Sequence, residues 1–445
     1  GQPVTIEIAR TGDDESKPPR YINGYISRFS AGDVSGEEDA KTQYREYTAE
    51  VVPWLWFLTQ TARCYIYFPE KEDKTIFEII EAVLIRARDE LHIGSKVKFD
   101  MAGIDKLKSR KVKHCVQYRE TDFNFLSRIL EQYGAFYYFT QKDGEHQLVL
   151  SMKSDYPDAE QNKIRFPSQT SAGRTTVDHI NSWEHAYEFT PGRWAHTDYN
   201  FESPSARMKS DSGKISAAHK EADKYEIYDF PGEFAVANEG RDESRIRQEE
   251  AEVQHNTVQV TSHCRTLMPG HCFELQPRED GSLKSEVGKY MVTSISHHAS
   301  QPGPESGGSG QMSQYSNSYS CIPADVQFRP SRETPKPVVS GIQTAVVVGP
   351  KGEEIHTDEY GRIMVAFHWD REDEDRPDKE KPRKKVDHGE KFFCWVRVAQ
   401  NIAGNKWGFM AIPRIGQEVV VDFLEGDPDR PLVVGSVYNA EQMPH

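Results

Sequence analysis

Five short apolar runs in the last 105 residues constrain the fold of this chain more than any other feature of the sequence. They are AVVVGP, GRIMVAFHW, FFCWVRVA, QEVVVDFL and PLVVGSVY, and turn residues separate them. In the turn EGDPDRP, Gly426, Pro428 and Pro431 fix the backbone between two of the runs. Five such strands within about 100 residues are typical of a small barrel of the oligonucleotide/oligosaccharide-binding (OB) type.

A preference for β structure extends through the rest of the chain. Val and Ile number 32 and 25 against 14 Leu, and β-branched side chains fit a pleated sheet whereas Leu favours helices. Val4, Ile6 and Ile8 alternate with polar neighbours, and the next strands, RYINGYISRF and TQYREYTAEVVP, flank the acidic loop GDVSGEEDA. A length of 445 residues indicates two to four domains. We therefore predict a mainly β chain with several domains.

Helices are predicted at about 75–88 and at about 121–133. In the first helix, Thr75 and Glu78 form a capping box, in which each side chain satisfies an orphan backbone amide of the other residue. After the second helix, Gly134 is placed to adopt the left-handed conformation that ends a helix. Both segments carry one apolar face, so we expect them to pack against the sheets.

Three charged or low-complexity segments depart from these patterns. Residues 239–254 read as a charged surface helix with little apolar face. Residues 301–314 are rich in Gly and Ser, which fits a flexible linker. Residues 370–391 hold nine acids and eight bases, so this insert should form a solvated loop between two strands of the small barrel.

Charge, hydropathy and cysteine content exclude several classes of protein. A net charge of −15 argues against nucleic acid as the main partner, because binding to phosphates needs a basic face. The longest strongly apolar run, at 51–58, is too short to span a bilayer. The first 20 residues lack the apolar core of a signal peptide. Six scattered cysteines are too few for a disulfide scaffold, which indicates synthesis in a reducing cytosol.

The segment HCRTLMPGHC brings His263, Cys264, His271 and Cys272 close together in sequence. Two Cys and two His can form a tetrahedral zinc site, but neighbouring residues of a strand point to opposite faces. The spacing also lacks the usual pairs of zinc ligands. We therefore expect a strand, a Pro–Gly turn and a second strand, with two buried thiols and no metal.

Catalytic motifs are missing from the sequence. It contains no H-E-x-x-H, no G-x-S-x-G and no complete phosphate-binding loop. Trp54, Trp56 and Phe57 could form an aromatic platform for a ligand, but core packing or a subunit contact is the favoured interpretation. His297 and His298 are interpreted as a solvated pair at the end of a strand. We assign no catalytic, cofactor-binding or metal-binding residues and expect no cofactor.

Long stretches of the sequence resemble one known family. EIHTDEYGRIMVAFHWDR, followed by CWVRVAQNIAGNKWGFMAIPRIGQEVVVDFLEGDPDRPLVVGSVYNAEQMP, closely resembles the valine-glycine repeat protein G (VgrG) family of type VI secretion spike proteins. HCVQYRETDFNFLSRILEQYGAFYYF at 114–139 is similar to the hub motif of that family. VVPWLWFLTQTARC, YEIYDFPGEFA and SHCRTLMPGHCFEL also fit. The resemblance covers nearly the whole chain in order.

The resemblance implies an architecture. Residues 1–325 would form a hub like that of contractile-tail phages, with two related β-barrels and intervening α+β segments. A linker at 326–340 and an OB-fold spike base at 341–445 would follow. The implied fold class is mainly β with some α+β: tandem hub-like barrels, then a small five-stranded barrel. We expect the family's opening strands before Gly1 and its β-helical needle after NAEQMPH to be missing from this sequence.

The resemblance also implies a function without an active site. Three copies would form a ring that caps the tube of hexameric Hcp protein and contacts baseplate and sheath components. A PAAR-type tip protein and effectors would bind through the missing needle. The protein would assemble in the bacterial cytoplasm and be secreted without a signal peptide into the extracellular space or a target cell, with no stable membrane insertion.

Three alternatives compete with this interpretation. The first is a hub of a contractile phage or of an extracellular contractile injection system, which uses the same parts. The second is a cell-wall hydrolase fused to the spike, which needs a domain beyond residue 445. The third is an oligosaccharide-binding role for the small barrel, which needs aromatic side chains on an open face.

Overall fold

The computed structural model describes residues 1–10, 17–35, 44–67, 74–113, 115–167, 178–213, 221–278, 280–301, 314–369 and 394–444. Most of the regular structure in these ranges is β, as the sequence predicted. The strands are β1 (Pro3–Ile8), β2 (Arg20–Ser35), β3 (Tyr44–Val52), β4 (Ala62–Tyr67), β5 (Lys74–Thr75), β6 (Phe99–Gly103), β7 (Lys111–Val112), β8 (Cys115–Thr121), β9 (Phe136–Lys142), β10 (Glu145–Ser151), β11 (Asp158–Ile164), β12 (Ile180–Tyr187), β13 (Arg193–His196), β14 (Ser210–Asp211), β15 (Glu226–Asp229), β16 (Asn256–Ser262), β17 (Cys272–Leu275), β18 (Gly288–Ser300), β19 (Gln314–Pro323), β20 (Gln343–Val348), β21 (Ile363–Phe367), β22 (Cys394–Val398), β23 (Ala403–Gly404), β24 (Trp407–Gly408), β25 (Glu418–Phe423) and β26 (Pro431–Val437).

Two α-helices form where the sequence predicted them, α1 at Ile76–Glu90 and α2 at Asp122–Gln132. The capping box of α1 is complete: the backbone N–H of Glu78 donates to Thr75 Oγ1 at 3.2 Å, and that of Thr75 donates to Glu78 Oε2 at 2.7 Å. Gly134, with a φ of 67°, follows the end of α2. No helix in the described ranges is both long enough and apolar enough to cross a bilayer.

The third helix, α3 (Ala237–Val253), departs from its prediction as a surface helix. One face of α3 is buried, and that face is mostly polar, with Gly240, Ser244 and Gln248 spaced four residues apart. Each of these residues makes a hydrogen bond: Ser244 donates to the carbonyl of Gly240, and Gln248 donates to that of Pro191. Hydropathy alone does not predict the burial of this face of α3, because most of its side chains are polar.

The chain divides into two compact units, each built from three segments. Unit 1 consists of Gly1–Leu55, Ile93–Ile104 and Leu130–Arg332. Unit 2 consists of Trp56–His92, Asp105–Ile129 and Glu333–His445.

Unit 1 is made of open sheets in the ranges that the structure describes. They have the orders β1-β2-β3, β6-β10-β9, β14-β13-β15 and β11-β17-β18-β19-β16-β12. The predicted Asp143–Gly144 hairpin joins β9 and β10, with a φ of 67° at Gly144. The six-stranded sheet buries an apolar core that includes Phe273, Val258 and Tyr319. These open sheets occupy the region where the resemblance implied two barrels.

Unit 2 contains the predicted small barrel. β20, β21, β22, β26 and β25 close on one another in that order, and each covers one of the five apolar runs. Alternate residues point inward, so Ala345, Val347 and Val365 are fully buried. The five-stranded barrel is therefore confirmed.

The core of the barrel extends beyond its five strands. Ile66 of β4 and Val116 of β8 are buried in the same cluster. The backbone N–H of Val116 donates to Asp429 Oδ1 at 2.7 Å, and Gln343 Nε2 donates to the hydroxyl of Tyr118 at 2.7 Å. The β4–β8 ladder therefore contributes to the core of the barrel, although it precedes the barrel strands by more than 200 residues in the sequence.

Several segments with predicted structure lie wholly or partly outside the described residues. The acidic loop at 32–40 is one of them: β2 continues through Gly32–Ser35, so that part is strand rather than loop. The described ranges leave out residues 36–43, 302–313 and 370–393. These residues include most of the Gly- and Ser-rich linker predicted at 301–314 and the whole charged insert.

Candidate interaction surfaces

The His–Cys segment at 263–272 lies between two strands. β16 ends at Ser262, Gly270 turns with a φ of 77°, and β17 begins at Cys272. The thiols of Cys264 and Cys272 are buried, and burial raises their pKa values to about 12 and about 11. The predicted strand, turn and strand with two buried thiols are therefore confirmed.

The two histidines of this segment contact backbone carbonyls. Nδ1 of His263 lies 2.6 Å from the carbonyl oxygen of Tyr315, and Nδ1 of His271 lies 3.1 Å from that of Pro269. Burial lowers the pKa of His271. Among the residues that the structure describes, no three or more His, Cys, Asp and Glu side chains are grouped so as to hold a metal ion.

The His297–His298 pair differs from its prediction. His298 is exposed, but His297 is half-buried, and its Nδ1 lies 2.7 Å from the hydroxyl oxygen of Tyr315. Burial, with a smaller contribution from the charge of Arg20, lowers the pKa of His297 to about 4. The prediction of a solvated pair is wrong for His297, because the side chain of Tyr315 on the neighbouring strand β19 contacts it.

The aromatic run at 54–57 begins a 3-10 helix, Trp54–Gln60. Trp54 has no exposed surface, and its backbone N–H donates to His146 Nε2 at 3.0 Å. Phe57 is half-buried, with its ring centroid 5.1 Å from that of His92. Core packing is the interpretation that these contacts support, and a buried Trp54 cannot serve as a platform for a ligand.

A buried ion pair connects β8 with α2. The side chains of Arg128 and Glu120 are 4% and 7% exposed, and Arg128 Nη2 donates to Glu120 Oε1 at 2.8 Å. The same nitrogen donates to the carbonyl of Val116 at 2.7 Å. Burial raises the pKa of Glu120 even though the hydrogen bonds from Arg128 oppose that shift. These contacts position the strand that packs on the barrel, which is a structural role.

Glu252, near the end of α3, is a carboxylate whose environment shifts its pKa strongly upward. Burial raises its pKa to about 7, and the charge of Glu249 contributes in the same direction. Its Oε1 is buried without a hydrogen-bond partner. A group of this kind is a candidate general base on electrostatic grounds. No sequence signal distinguishes Glu252 from the other acids of the chain.

A two-stranded arm in unit 1 carries exposed aromatic side chains. β1 pairs with β2 only over Arg20–Tyr25, so the later part of β2 pairs with β3 alone. On this arm Phe29 and Tyr47 are 60% and 58% exposed, and their rings stack at 5.5 Å. Exposed aromatic pairs of this kind are enriched in protein interfaces.

A second exposed apolar projection leaves the barrel of unit 2. We call residues 399–411 the finger. Its hairpin, β23 and β24, pairs Gly404 with Trp407, and a Cβ atom at Gly404 would lie 2.4 Å from the Trp407 ring. At its base Gln400 bonds to both the backbone N–H and the carbonyl of Ala411, at 2.8 and 3.2 Å. Every residue from 401 to 410 is exposed.

Comparison with known families decides what kind of protein carries these surfaces. Residues 1–303 match the family described as phage tail baseplate hub (GPD). The chain belongs to the phage tail baseplate hub family. Within this hub chain, residues 370–438 also match a family described as the type VI secretion system/phage-baseplate injector OB domain.

The hub chain has curated relatives of closely similar sequence. It is 38% identical to the type VI secretion system spike proteins VgrG1c and VgrG1a of Pseudomonas aeruginosa, covering 99% of this chain and 55% and 62% of those proteins. It is 32% identical to the actin cross-linking toxin VgrG1 of Vibrio cholerae, over 95% of this chain and 35% of that protein. The resemblance to VgrG proteins is thus confirmed, and the chain spans little more than half the length of the Pseudomonas relatives.

Two solved structures share the fold of the hub chain. One is an E. coli component of the type VI secretion system described as similar to the tail proteins gp27 and gp5 of bacteriophage T4. It has a TM-score of 0.57 and 18% identity, covering 98% of this chain and 91% of that one. The other is a Francisella PdpA–VgrG complex, with a TM-score of 0.55 and 9% identity, covering 98% of this chain and 65% of that chain. At these identities the likeness concerns the fold alone.

Proposed function

We propose that this chain is the hub and spike base of a type VI secretion puncturing device. The observation that carries the proposal is the order of the two family matches, a baseplate hub over residues 1–303 and an injector OB domain over 370–438. Identity of 38% to Pseudomonas spike proteins across 99% of the chain supports the same function.

The proposed assembly is a ring of three copies that caps a tube of Hcp hexamers and contacts baseplate and sheath components. Residues 1–325 act as the hub, residues 326–340 as a linker and residues 341–445 as the OB-fold spike base. A PAAR-type tip protein and effectors bind through a needle that follows the barrel. The exposed aromatic pair on the arm and the finger supply apolar surfaces of the kind that such interfaces use.

The proposed function is mechanical rather than enzymatic. Contraction of a sheath supplies the work, and the chain transmits it to the target membrane. Two ion pairs of unit 2 have a structural role. Arg128 pairs with Glu120, and Arg63 pairs with Asp122. The protein assembles in the bacterial cytoplasm and leaves through the secretion machinery itself, to the extracellular space or a target cell.

A hub of a contractile phage or of an extracellular injection system is the alternative. It uses the same domain order, so the fold does not separate the two functions. The relatives at 38% identity are type VI spike proteins, which favours the type VI assignment.

Light scattering across a wide range of protein concentration tests the proposed assembly. We expect a species with three times the chain mass of 50.8 kDa, dissociating on dilution. Adding the needle should shift dissociation to much lower concentration, because it winds three chains together. A two-fold dimer, or a monomer that persists in a needle-bearing chain, would contradict the proposal.

A further inference from the structure

The finger carries four large apolar side chains exposed to solvent. The exposed fractions are 55% for Ile402, 68% for Trp407, 54% for Phe409 and 73% for Met410. The hairpin pairing and the bonds from Gln400 to Ala411 hold these side chains in a defined arrangement. An ordered projection loses little conformational entropy when it binds a partner, which favours docking.

A second exposed apolar surface lies where the finger leaves the barrel. β22 runs parallel to β26 and stops at Val398, opposite Val433, and the backbone N–H of Ala399 donates to the carbonyl of Val433 at 2.8 Å. β26 continues past that point, paired in the described residues with β25 alone. We call residues 434–438 the overhang; Val434, Val437 and Tyr438 are 43%, 43% and 72% exposed.

The sequence around the finger is basic, whereas the sequence around the overhang is acidic. Residues 396–417, which include the finger, contain three bases, Arg397, Lys406 and Arg414, and no acid. Residues 418–442, which include the overhang, contain six acids and one base. Two of those acids, Glu418 and Glu441, flank the overhang: Glu418 pairs with Val437 in the ladder, and Glu441 lies three residues beyond Tyr438. The finger itself carries one base, Lys406, and no acid, whereas the overhang is uncharged and has Glu418 and Glu441 beside it.

The apolar area of these surfaces is enough for the centre of a protein interface. A buried aromatic side chain covers roughly 150 to 250 Å². On that scale, the four apolar residues of the finger and the three of the overhang together offer on the order of 700 Å² of exposed apolar surface. Because one interface uses the finger of one copy and the overhang of the next, this total compares with the roughly 1,200 to 2,000 Å² that both partners of a stable interface bury together. The seven side chains therefore supply the apolar centre of the contact rather than all of it. Since finger and overhang are different patches on one chain, contact between copies is heterologous and can close a ring.

We propose that the finger of one copy packs on the overhang of the next copy in the ring. Trp407 and Met410 supply the apolar contact, and Lys406 approaches the acidic flank of the neighbouring overhang. This proposal rests on the proposed three-fold assembly. It names the residues that hold the three barrels of that assembly together.

Removing the apolar side chains of the finger tests the energetic part of the proposal. The variant W407S/M410S should raise the dissociation constant of the trimer by about 30-fold, as for interface residues that dominate binding. The matched control I355S/Y360S removes two side chains that are 44% and 48% exposed elsewhere on unit 2, and should leave the constant unchanged. Circular dichroism and the melting temperature check that both variants fold.

Equal dissociation constants for the finger variant and the unsubstituted chain would overturn the inference while leaving the trimer intact. An equal loss in the control variant would overturn it as well, because the effect would not be specific to the finger. If the unsubstituted chain stays monomeric even with its needle, the proposed function fails and this interface fails with it.

Cysteine cross-linking tests the geometry independently of stability. Under mild oxidation and in a C64S background, a mixture of K406C and S436C chains should form a disulfide between chains, whereas neither variant should do so alone. The double variant K406C/S436C should give covalent dimers and trimers on a non-reducing gel. Cross-linking of K406C to itself, or the absence of higher species in the double variant, would refute a contact between finger and overhang.

Discussion

Replacing Arg128 with Met tests how unit 2 holds its β8–α2 junction to the barrel. Arg128 Nε lies 3.1 and 3.0 Å from the two carboxylate oxygens of Glu120, Nη2 lies 2.8 Å from Oε1, and both side chains are almost completely buried. Without the guanidinium, a buried carboxylate and the carbonyl of Val116 lose their partner. Removal of one member of a buried pair costs about 3 to 5 kcal/mol. We expect R128M to lower the free energy of unfolding by about 4 kcal/mol.

Urea unfolding followed by tryptophan fluorescence measures this loss. The matched control is R88M, because Arg88 pairs with Asp89 in an exposed contact, 46% and 62% exposed, that should be worth less than about 1 kcal/mol. The double variant E120L/R128M removes both charges and should recover most of the loss, since an apolar pair of similar size is often neutral.

The pH dependence of R128M adds a second readout. Without its cation, Glu120 has a folded pKa further above its unfolded value, so the folded state retains the proton more strongly. The deficit of R128M should therefore shrink as the pH falls from 8 to 5. A loss below about 1 kcal/mol at pH 7, equal to that of R88M, would refute the structural role of the pair.

Three further outcomes follow from other contacts. Burial raises the pKa of Glu252 from 4.5 to about 7, so stability should fall as the pH rises across that interval. E252Q should gain on the order of 1 kcal/mol at pH 8, a value reduced for partial exposure, and nothing at pH 4. T75A should lose about 1 kcal/mol through the capping box, whereas T75S should stay close to the native value, and thermal melting compares them. Cys64 is half-exposed and the other five cysteines are buried, so a thiol reagent should label one cysteine quickly under native conditions and all six in urea; rapid labelling of Cys264 would contradict the structure.

Elements with local signals were predictable from the sequence. α1 was placed correctly because Thr75 and Glu78 mark its first turn and its buried face repeats at helical spacing. The barrel strands were predicted because inward and outward side chains alternate between turns rich in Gly and Pro.

Features that depend on distant partners were not predictable. The buried face of α3 is mostly polar, and polar side chains such as those of Ser244 and Gln248 are buried because they find carbonyl partners, for example that of Pro191. His297 is covered by Tyr315 from another strand, and Ile66 joins a barrel core that begins more than 200 residues later. The exposure of the finger was not predictable either, because a stretch that contains apolar residues such as Trp407 and Met410 is typical of a buried strand.

The three-segment construction of unit 2 has a consequence for synthesis on the ribosome. Ile66 and Val116 emerge early, but the barrel strands that cover them follow residues 130–332, which belong to unit 1. At about 5 to 20 residues per second, these roughly 200 residues take about 10 to 40 s to translate. During that interval the apolar face of the β4–β8 ladder lacks the barrel strands that cover it in the folded chain. The nascent chain is therefore most exposed to aggregation midway through translation, when chaperone binding would protect it most.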